Sequence, residues 1–217
     1  MKAAAKTVCS AKTDCSKSYH HGNLRNELIL AACALIEERG SSDFSVAEAA
    51  RRAGVSNAAP YRHFRDKDEL LEAVCELGFL GLAQSAQEAL EGQEPGTEEA
   101  IIALGHAYIR FVISHRHFHD LMWGQHGVRA MDTDTAEDLR GSGFYILVHN
   151  LNEMCKKENI VGVDATDLAT KLWGLVHGLS ALSMTRQLDR FKSDADPYEM
   201  LSTTSHTFFA GLRQNKA

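Results

Sequence analysis

Four histidines crowd one stretch of the chain: His115, His117, His119 and His126, with Asp120 among them. Imidazole nitrogens bind zinc, nickel and copper, and histidines at i, i+4 share a helix face, as His115 and His119 would on a continuous helix. A metal hydrolase also needs an open coordination position and a general base. No H-E-x-x-H arrangement occurs, and Asp120 is a sequence neighbour rather than a convergent partner. No catalytic residue, metal ligand or cofactor is assigned on this basis. A metal-dependent enzyme, or a metal or redox sensor, centred on the His115-His117-His119 cluster stands as the alternative. The five cysteines (Cys9, Cys15, Cys33, Cys75, Cys155) are odd in number and irregularly spaced, which reads as reduced thiols.

A second group of polar residues lies between two glycines, and the helices that must hold it can be read from periodicity. Leu24, Leu28, Ala31, Ala32, Leu35 and Ile36 fall on one helical face, and Gly40 supplies the stop. Ser45 and Glu48 have capping-box spacing and open a short helix over Val46–Ala53. Gly54-Val55 makes a turn, and Ser56 caps a third short helix carrying Asn57 to His63, with Pro60 in its first turn. Asp66 and Glu69 form a second capping box that opens a long helix. Small Ala49, Ala50 and Ala53 permit close helix approach, and Val46, Val55 and Phe64 read as core. Two short helices about a glycine turn, packed on a third, form a helix-turn-helix, whose second helix fits the DNA major groove; a plain helical hairpin has the same pattern.

The rest of the chain continues in helical style. Thr97 caps a helix to about Ser114, a shorter segment reaches Gly124, and a long one covers roughly Thr135 to Asn159. Asp164 and Asp167 open another to about Leu188, and Asp196-Pro197 with Glu199 opens the last. The fold class is all-α, with about nine helices and no strand pattern. The 217 residues, 44% hydrophobic with 3 prolines, suffice for a core without disulfide or metal. No apolar run approaches the ~18 residues of a membrane helix, and Met1 to Lys17 lacks the apolar stretch of a secretory signal. The net charge of -6 is uneven: residues 1–75 carry +1 and residues 76–217 carry -7. Net charge therefore leaves nucleic-acid binding by the first part open.

The stretch from Tyr19-His20-His21-Gly22-Asn23-Leu24-Arg25 through Val46–Gly54-Val55-Ser56 and Tyr61-Arg62-His63-Phe64-Arg65-Asp66-Lys67-Asp68-Glu69-Leu70 resembles the DNA-binding domain of the tetracycline-repressor (TetR) family, in an A-x-x-A-G-V-S…Y-x-H-F-x-x-K-x-x-L pattern. Trp173-Gly174-Leu175-Val176-His177-Gly178 resembles the W-x-x-x-H-G signature of one subgroup, and Asp120-Leu121-Met122-Trp123-Gly124 a further element of it. Pro60 departs from the Leu or Ile of many members. The resemblance implies a flexible tail over 1–18, a helix-turn-helix domain over 19–67 and an effector-binding and dimerisation domain over 68–217.

It also implies roles. Asn57, Ala58 and Ala59 are expected at base edges, where an amide pairs with adenine and a methyl meets the thymine methyl. Tyr61, His63 and Lys67 match positions that hold phosphates, Lys67 at a helix N-terminus. Ser45 is expected to share a phosphate, and Arg25 is a DNA candidate beside His20-His21. Arg51 and Arg52 are as readily solvated as DNA-facing, Tyr61 has a packing alternative, and the lysines of the tail offer phosphate contacts or disorder. Candidate effector-contacting residues are Phe79, Leu82, Ala83, Tyr108, Phe111, Met122, Trp123, Phe144, Leu147, Trp173 and His177, apolar and aromatic with a few polar groups, as a small organic ligand requires. Core packing is the competing reading for each. Leu168, Leu172, Leu175, Leu179 and Leu182, with Thr203, Phe208 and Leu212, supply a stripe for a homodimer interface, or pack within the chain. The expected function is a cytoplasmic transcriptional repressor, homodimeric on double-stranded inverted-repeat DNA, released by a small-molecule effector, with no membrane partner.

Overall fold

The computed structural model describes residues 24–131 and 142–215, which hold ten α-helices, two short 3-10 helices and no strand. In chain order these are α1 (Leu24–Arg39), α2 (Val46–Arg52), a 3-10 turn (Pro60–Arg62), α3 (Lys67–Ala89), α4 (Glu98–Ser114), α5 (Arg116–Met122), α6 (Gln125–Met131), α7 (Gly143–Glu158), α8 (Ala165–Met184), α9 (Gln187–Phe191), α10 (Pro197–Leu212) and a closing 3-10 turn (Arg213–Asn215). The all-α expectation holds. The described residues fall into two compact units, one of 24–81 with 117–131, the other of 82–116 with 142–215. The expectations for Tyr19, His20, His21 and the lysine-bearing tail lie outside the described residues, as does the start placed near Thr135.

In the first unit, α1 buries Leu28, Ala31, Ala32, Leu35 and Ile36, the face its periodicity marks. Gly40, at φ +68°, ends it through Gly40 N–H to Ile36 O at 2.8 Å. The Ser45–Glu48 capping box is complete: the Ser45 hydroxyl accepts from Glu48 N–H, and Glu48 accepts from Ser45 N–H at 2.8 Å. Arg39, reaching across from α1, donates to the same carboxylate and to Asp43 O. The Arg39 hydrogen bond and then the Ser45 donors hold the Glu48 carboxyl down to about 2.

α2 closes in a Schellman turn. Val55 N–H donates to Ala50 O at 3.0 Å and Gly54 N–H to Arg51 O at 3.1 Å, with Gly54 at φ +73°. The second capping box forms differently from its spacing. Glu69 N–H does donate to Asp66 Oδ1, at 2.9 Å, but Glu69 reaches past Asp66 to accept from Arg65 N–H at 2.6 Å. Val55 is half-buried rather than a full core residue, whereas Val46 and Phe64 are buried.

In the second unit the expected caps form on three helices. Thr97 accepts from Ala100 N–H, Asp164 from Thr166 N–H and Asp196 from Tyr198 N–H. The core gathers Ile101, Leu151, Met154, Leu168, Leu172 and Phe209 from α4, α7, α8 and α10. Asn150, 1% exposed, accepts from Gly96 N–H and donates to Ile146 O, pinning the loop before α4 to α7. α8 stops at Met184 rather than near Leu188. Thr185 N–H still bonds Ala181 O, and Arg186 then turns left-handed at φ 55°, separating α9.

The leucine stripe corrects an expectation. Leu168, Leu172 and Leu179 are buried inside their own unit, as is Leu212, and Phe208 packs on the same core. Of the named leucines only Leu182 is exposed, at 39%. The i, i+4 spacing fixes a shared face, and here that face serves the chain's own α4, α7 and α10.

Glu48 gives a pH test. Its folded pKa lies below the ordinary 4.5, so its contribution is complete above 4.5 and is lost as pH falls toward about 2. Glu48→Gln should lower the urea midpoint at neutral pH and flatten its decline across that window. Parallel midpoint-versus-pH curves for both proteins would refute the assignment.

Candidate nucleic-acid interface

The segment after the Gly54 turn is not the short α-helix expected over Asn57–His63. Only Pro60–Arg62 is helical, and as a 3-10 turn. Ala59 N–H bonds Ser56 O, Arg62 N–H bonds Ala59 O and His63 N–H bonds Pro60 O, all three-residue closures. The cause lies at Pro60. It has no N–H to return to Ser56 or Asn57, so the α ladder cannot pass through it. The single four-residue closure, Phe64 N–H to Pro60 O at 3.0 Å, falls after it.

The turn nevertheless sorts its side chains sharply. Pro60 and Phe64 are buried, Phe64 at 2%. Asn57, Ala58, Tyr61, Arg62 and His63 are exposed and Ala59 half-buried. Tyr61 stands 61% exposed, which excludes its packing alternative. An amide, two methyls, a phenol, a guanidinium and an imidazole are thus displayed by one tightly wound segment above a fixed core.

The neighbouring groups divide between display and structure. Lys67 begins α3 with its Nζ 5.0 Å from the centroid of the Phe44 ring, so its stem is guided by an aromatic wall. Arg25 lies over the Phe64 ring at 5.4 Å and pairs with Glu76 at 3.7 Å. Ser45 is exposed, but its hydroxyl both caps α2 and donates to Glu48 at 2.9 Å. The two arginines of α2 separate: Arg52 grips Glu38 of α1 through contacts of 2.7 and 2.5 Å, while Arg51 is exposed.

The histidines do not form the site that their spacing allows. Among the described residues no three His, Cys, Asp or Glu side chains converge as metal ligands. His115 is the C-cap of α4 at φ -119°, ψ 37°, so the helix breaks between it and His119 and they share no helical face. The His115 ring meets Phe111 at 4.7 Å. His117 closes on Gly40, His119 Nδ1 lies 3.0 Å from Asp120, and His126 Nε2 lies 3.2 Å from Asp68. Burial first, then Glu72 and Glu76, push the Cys75 thiol up to about 12, where no reactive thiolate forms.

The candidate effector residues fall in both units. In the first, Phe79 meets Trp123 edge-on at 5.4 Å, and Met122 packs on Gly78 so tightly that a Cβ there would sit 2.7 Å from its sulfur. In the second, the Tyr108 hydroxyl lies 2.8 Å from His177 Nδ1, the Trp173 ring tilts against His177 with centroids 5.8 Å apart, and Phe144 meets Trp173 edge-on at 6.2 Å. Burial raises the Tyr108 phenol far above its usual range, opposed by a hydrogen bond with Trp173, so it remains a neutral hydroxyl. Leu82 and Ala83 are buried and Leu147 packs against the core. Phe111 meets the His115 ring at 4.7 Å.

Two family models match this chain. "Bacterial regulatory proteins, tetR family" covers residues 28–74, and "Tetracyclin repressor-like, C-terminal domain" covers residues 101–204. The chain belongs to the TetR family. It resembles the HTH-type transcriptional regulator BetI of Pectobacterium carotovorum, 48% identical over 61 residues, which is 27% of this chain and 31% of that one. The match spans less than a third of that relative's length. A protein of unknown function from Rhodococcus sp. RHA1 is 31% identical, covers 91% of this chain and 100% of its own, and superposes with a TM-score of 0.73. RolR, solved with resorcinol, shares the fold at 18% identity, with 88% of this chain and 92% of that one covered and a TM-score of 0.59.

Sequence reading of this TetR regulator missed α6 and its cluster, in which His126 and Arg129 face Asp68 and Arg129 also faces Glu72. His126 was visible only as part of a metal pattern. Its partner is 58 residues away, and no local spacing announces such a pair.

Proposed function

We propose that this TetR regulator is a cytoplasmic homodimeric repressor that leaves an inverted-repeat operator when a small organic effector binds, and that it belongs to the W-x-x-x-H-G subgroup through Trp173–Gly178. The carrying observation is the display after Gly54: Asn57, Ala58, Tyr61 and His63 exposed, above buried Pro60 and Phe64. In this reading Asn57, Ala58 and Ala59 meet base edges, and Tyr61, His63 and Lys67 meet phosphates. Ser45 caps α2 and adds a phosphate contact. Arg25, already held by Phe64 and Glu76, sits ready for another. Among the described residues no helix is long and apolar enough to cross a membrane. In this reading the chain acts as a regulator rather than a catalyst.

Operators selected from randomised duplexes should be inverted repeats with half-sites about one helical turn, ~34–36 Å, apart. Lys67→Ala should weaken all duplexes alike and reduce the salt slope by about 1 per head. Asn57→Ala should instead relax preference at one position, a loss of roughly 1–3 kcal/mol there. Equal loss on selected and random DNA would reject the role of Asn57.

The dimer face follows from what the stripe leaves outside. On α8, Gly174 and Leu182 are exposed, and on α10 so are Thr203, Thr207, Ala210 and Gly211. A Cβ at Gly174, Gly178 or Gly211 would meet nothing within 4 Å, so these positions can receive a second copy closely. Sedimentation should show a dimer for the wild type and a folded monomer for Gly178→Glu. A monomeric wild type at micromolar concentration would end this reading.

The effector is expected at the Tyr108, Trp173, His177 and Phe144 group, His177 being its polar anchor. This reading is supported by RolR, which shares the fold and is solved with resorcinol. An effector worth about 1–3 kcal/mol of coupling would change DNA affinity roughly 5–150-fold. In a ligand screen read by DNA release, Trp173→Phe and His177→Ala should lose the response. A ligand that releases both variants as well as the wild type places the pocket elsewhere.

A further inference from the structure

The first turns of α3 put acids beside the lysine assigned to phosphate. Asp68 follows Lys67 directly, and Glu72 lies one turn on. Near a polyanion each uncompensated carboxylate costs affinity, because its repulsion acts across several ångströms of high-dielectric surface. Both carboxylates are met from α6. His126 Nε2 lies 3.2 Å from Asp68 Oδ1, and Arg129 Nη1 lies 3.4 Å from Asp68 Oδ2 and 3.4 Å from Glu72 Oε1. Among the described residues, these are the ion-paired partners of His126, directly or through the shared carboxylate. The Asp68 side chain is 58% exposed and Arg129 51% exposed, so the group lies open to the field of a bound duplex.

α6 is also firmly carried. In α5, which leads into it, Leu121 O accepts from the Cys75 thiol at 3.4 Å and Met122 seats against Gly78. Trp123 then meets Phe79 edge-on. The cations therefore stay near Asp68 without needing DNA to recruit them. Arg129 is charged at every working pH and balances one of the two acids. Histidine is the side chain that changes charge between pH 5 and 8, so the second acid is balanced only when His126 is protonated.

Resting on the reading of Lys67 as a phosphate contact, we infer that His126 and Arg129 set DNA affinity without touching DNA, by neutralising Asp68, and that His126 makes this grip depend on protonation. Both are positioning residues acting through a carboxylate. The proton thereby joins the small-molecule effector as a second input to the same head.

The test is fluorescence anisotropy of the full chain on a mixed-sequence duplex of about 30 base pairs at low salt, since phosphate contacts carry no sequence information. At a pH near 6, His126→Gln and Arg129→Gln should each bind about threefold more weakly than wild type or worse. Near pH 8, His126→Gln should match wild type while Arg129→Gln stays weak, and Arg129→Lys should restore binding at both. Asp68→Asn should bind at least as tightly as wild type, and adding His126→Gln to it should change nothing. A His126→Gln loss that is the same at both pH values, or that persists in Asp68→Asn, overturns the inference. Wild-type protein that binds no duplex overturns the DNA reading itself, a distinct outcome.

Discussion

With φ at +73°, Gly54 turns the chain sharply at the end of α2, and the exposed segment that follows is arranged around that turn. A side chain with a Cβ would be strained there, although space is open around it. The turn satisfies two orphan carbonyls of α2, and this lets the next residues wind tightly without leaving buried backbone unpaired. Pro60 and Phe64 then sink into the unit, and their burial forces Asn57, Tyr61 and His63 outward. One backbone angle and two apolar anchors thus convert a short polar segment into a fixed surface.

Around that surface, charge is spent locally. Arg39 with Glu48, and Arg52 with Glu38, tie α1 to α2, so these cations contribute to the geometry of the head more than to its potential. Exposed pairs of this kind add little stability one by one. Their effect is to fix which arginines remain for a partner: Arg51 and Arg62 stay displayed while Arg39 and Arg52 are engaged. An acidic chain can in this way present a basic edge.

Local grammar was legible in the sequence. The face of α1, the Ser45–Glu48 box, the Gly54 stop and the caps at Thr97, Asp164 and Asp196 each depend on residues within four positions of one another, and each forms. What failed depended on competition or distance. Pro60 looked admissible in a first helical turn, but its missing donor leaves only a 3-10 turn. The leucines of α8 announced an apolar face without saying whose core it would enter. The i, i+4 spacing of His115 and His119 presumed a continuous helix that His115 itself ends. The pairing of His126 with Asp68 has no local signature at all. The residues proposed to meet DNA were picked out through a long motif, whereas aromatic residues in a helical bundle look alike whether they line a cavity or fill one.

Gly78 also has a mechanical meaning. Its lost side chain makes room for the Met122 thioether, and Gly81 follows one turn later within the same unbroken α3. Each glycine leaves the helix about 1 kcal/mol poorer than alanine would. The middle of α3 is therefore held by packing rather than by propensity, with the Met122 sulfur lodged against Gly78 and the Phe79 ring against Trp123. A larger residue at position 78 would gain helix propensity and lose that seat, because its Cβ would stand 2.7 Å from the sulfur.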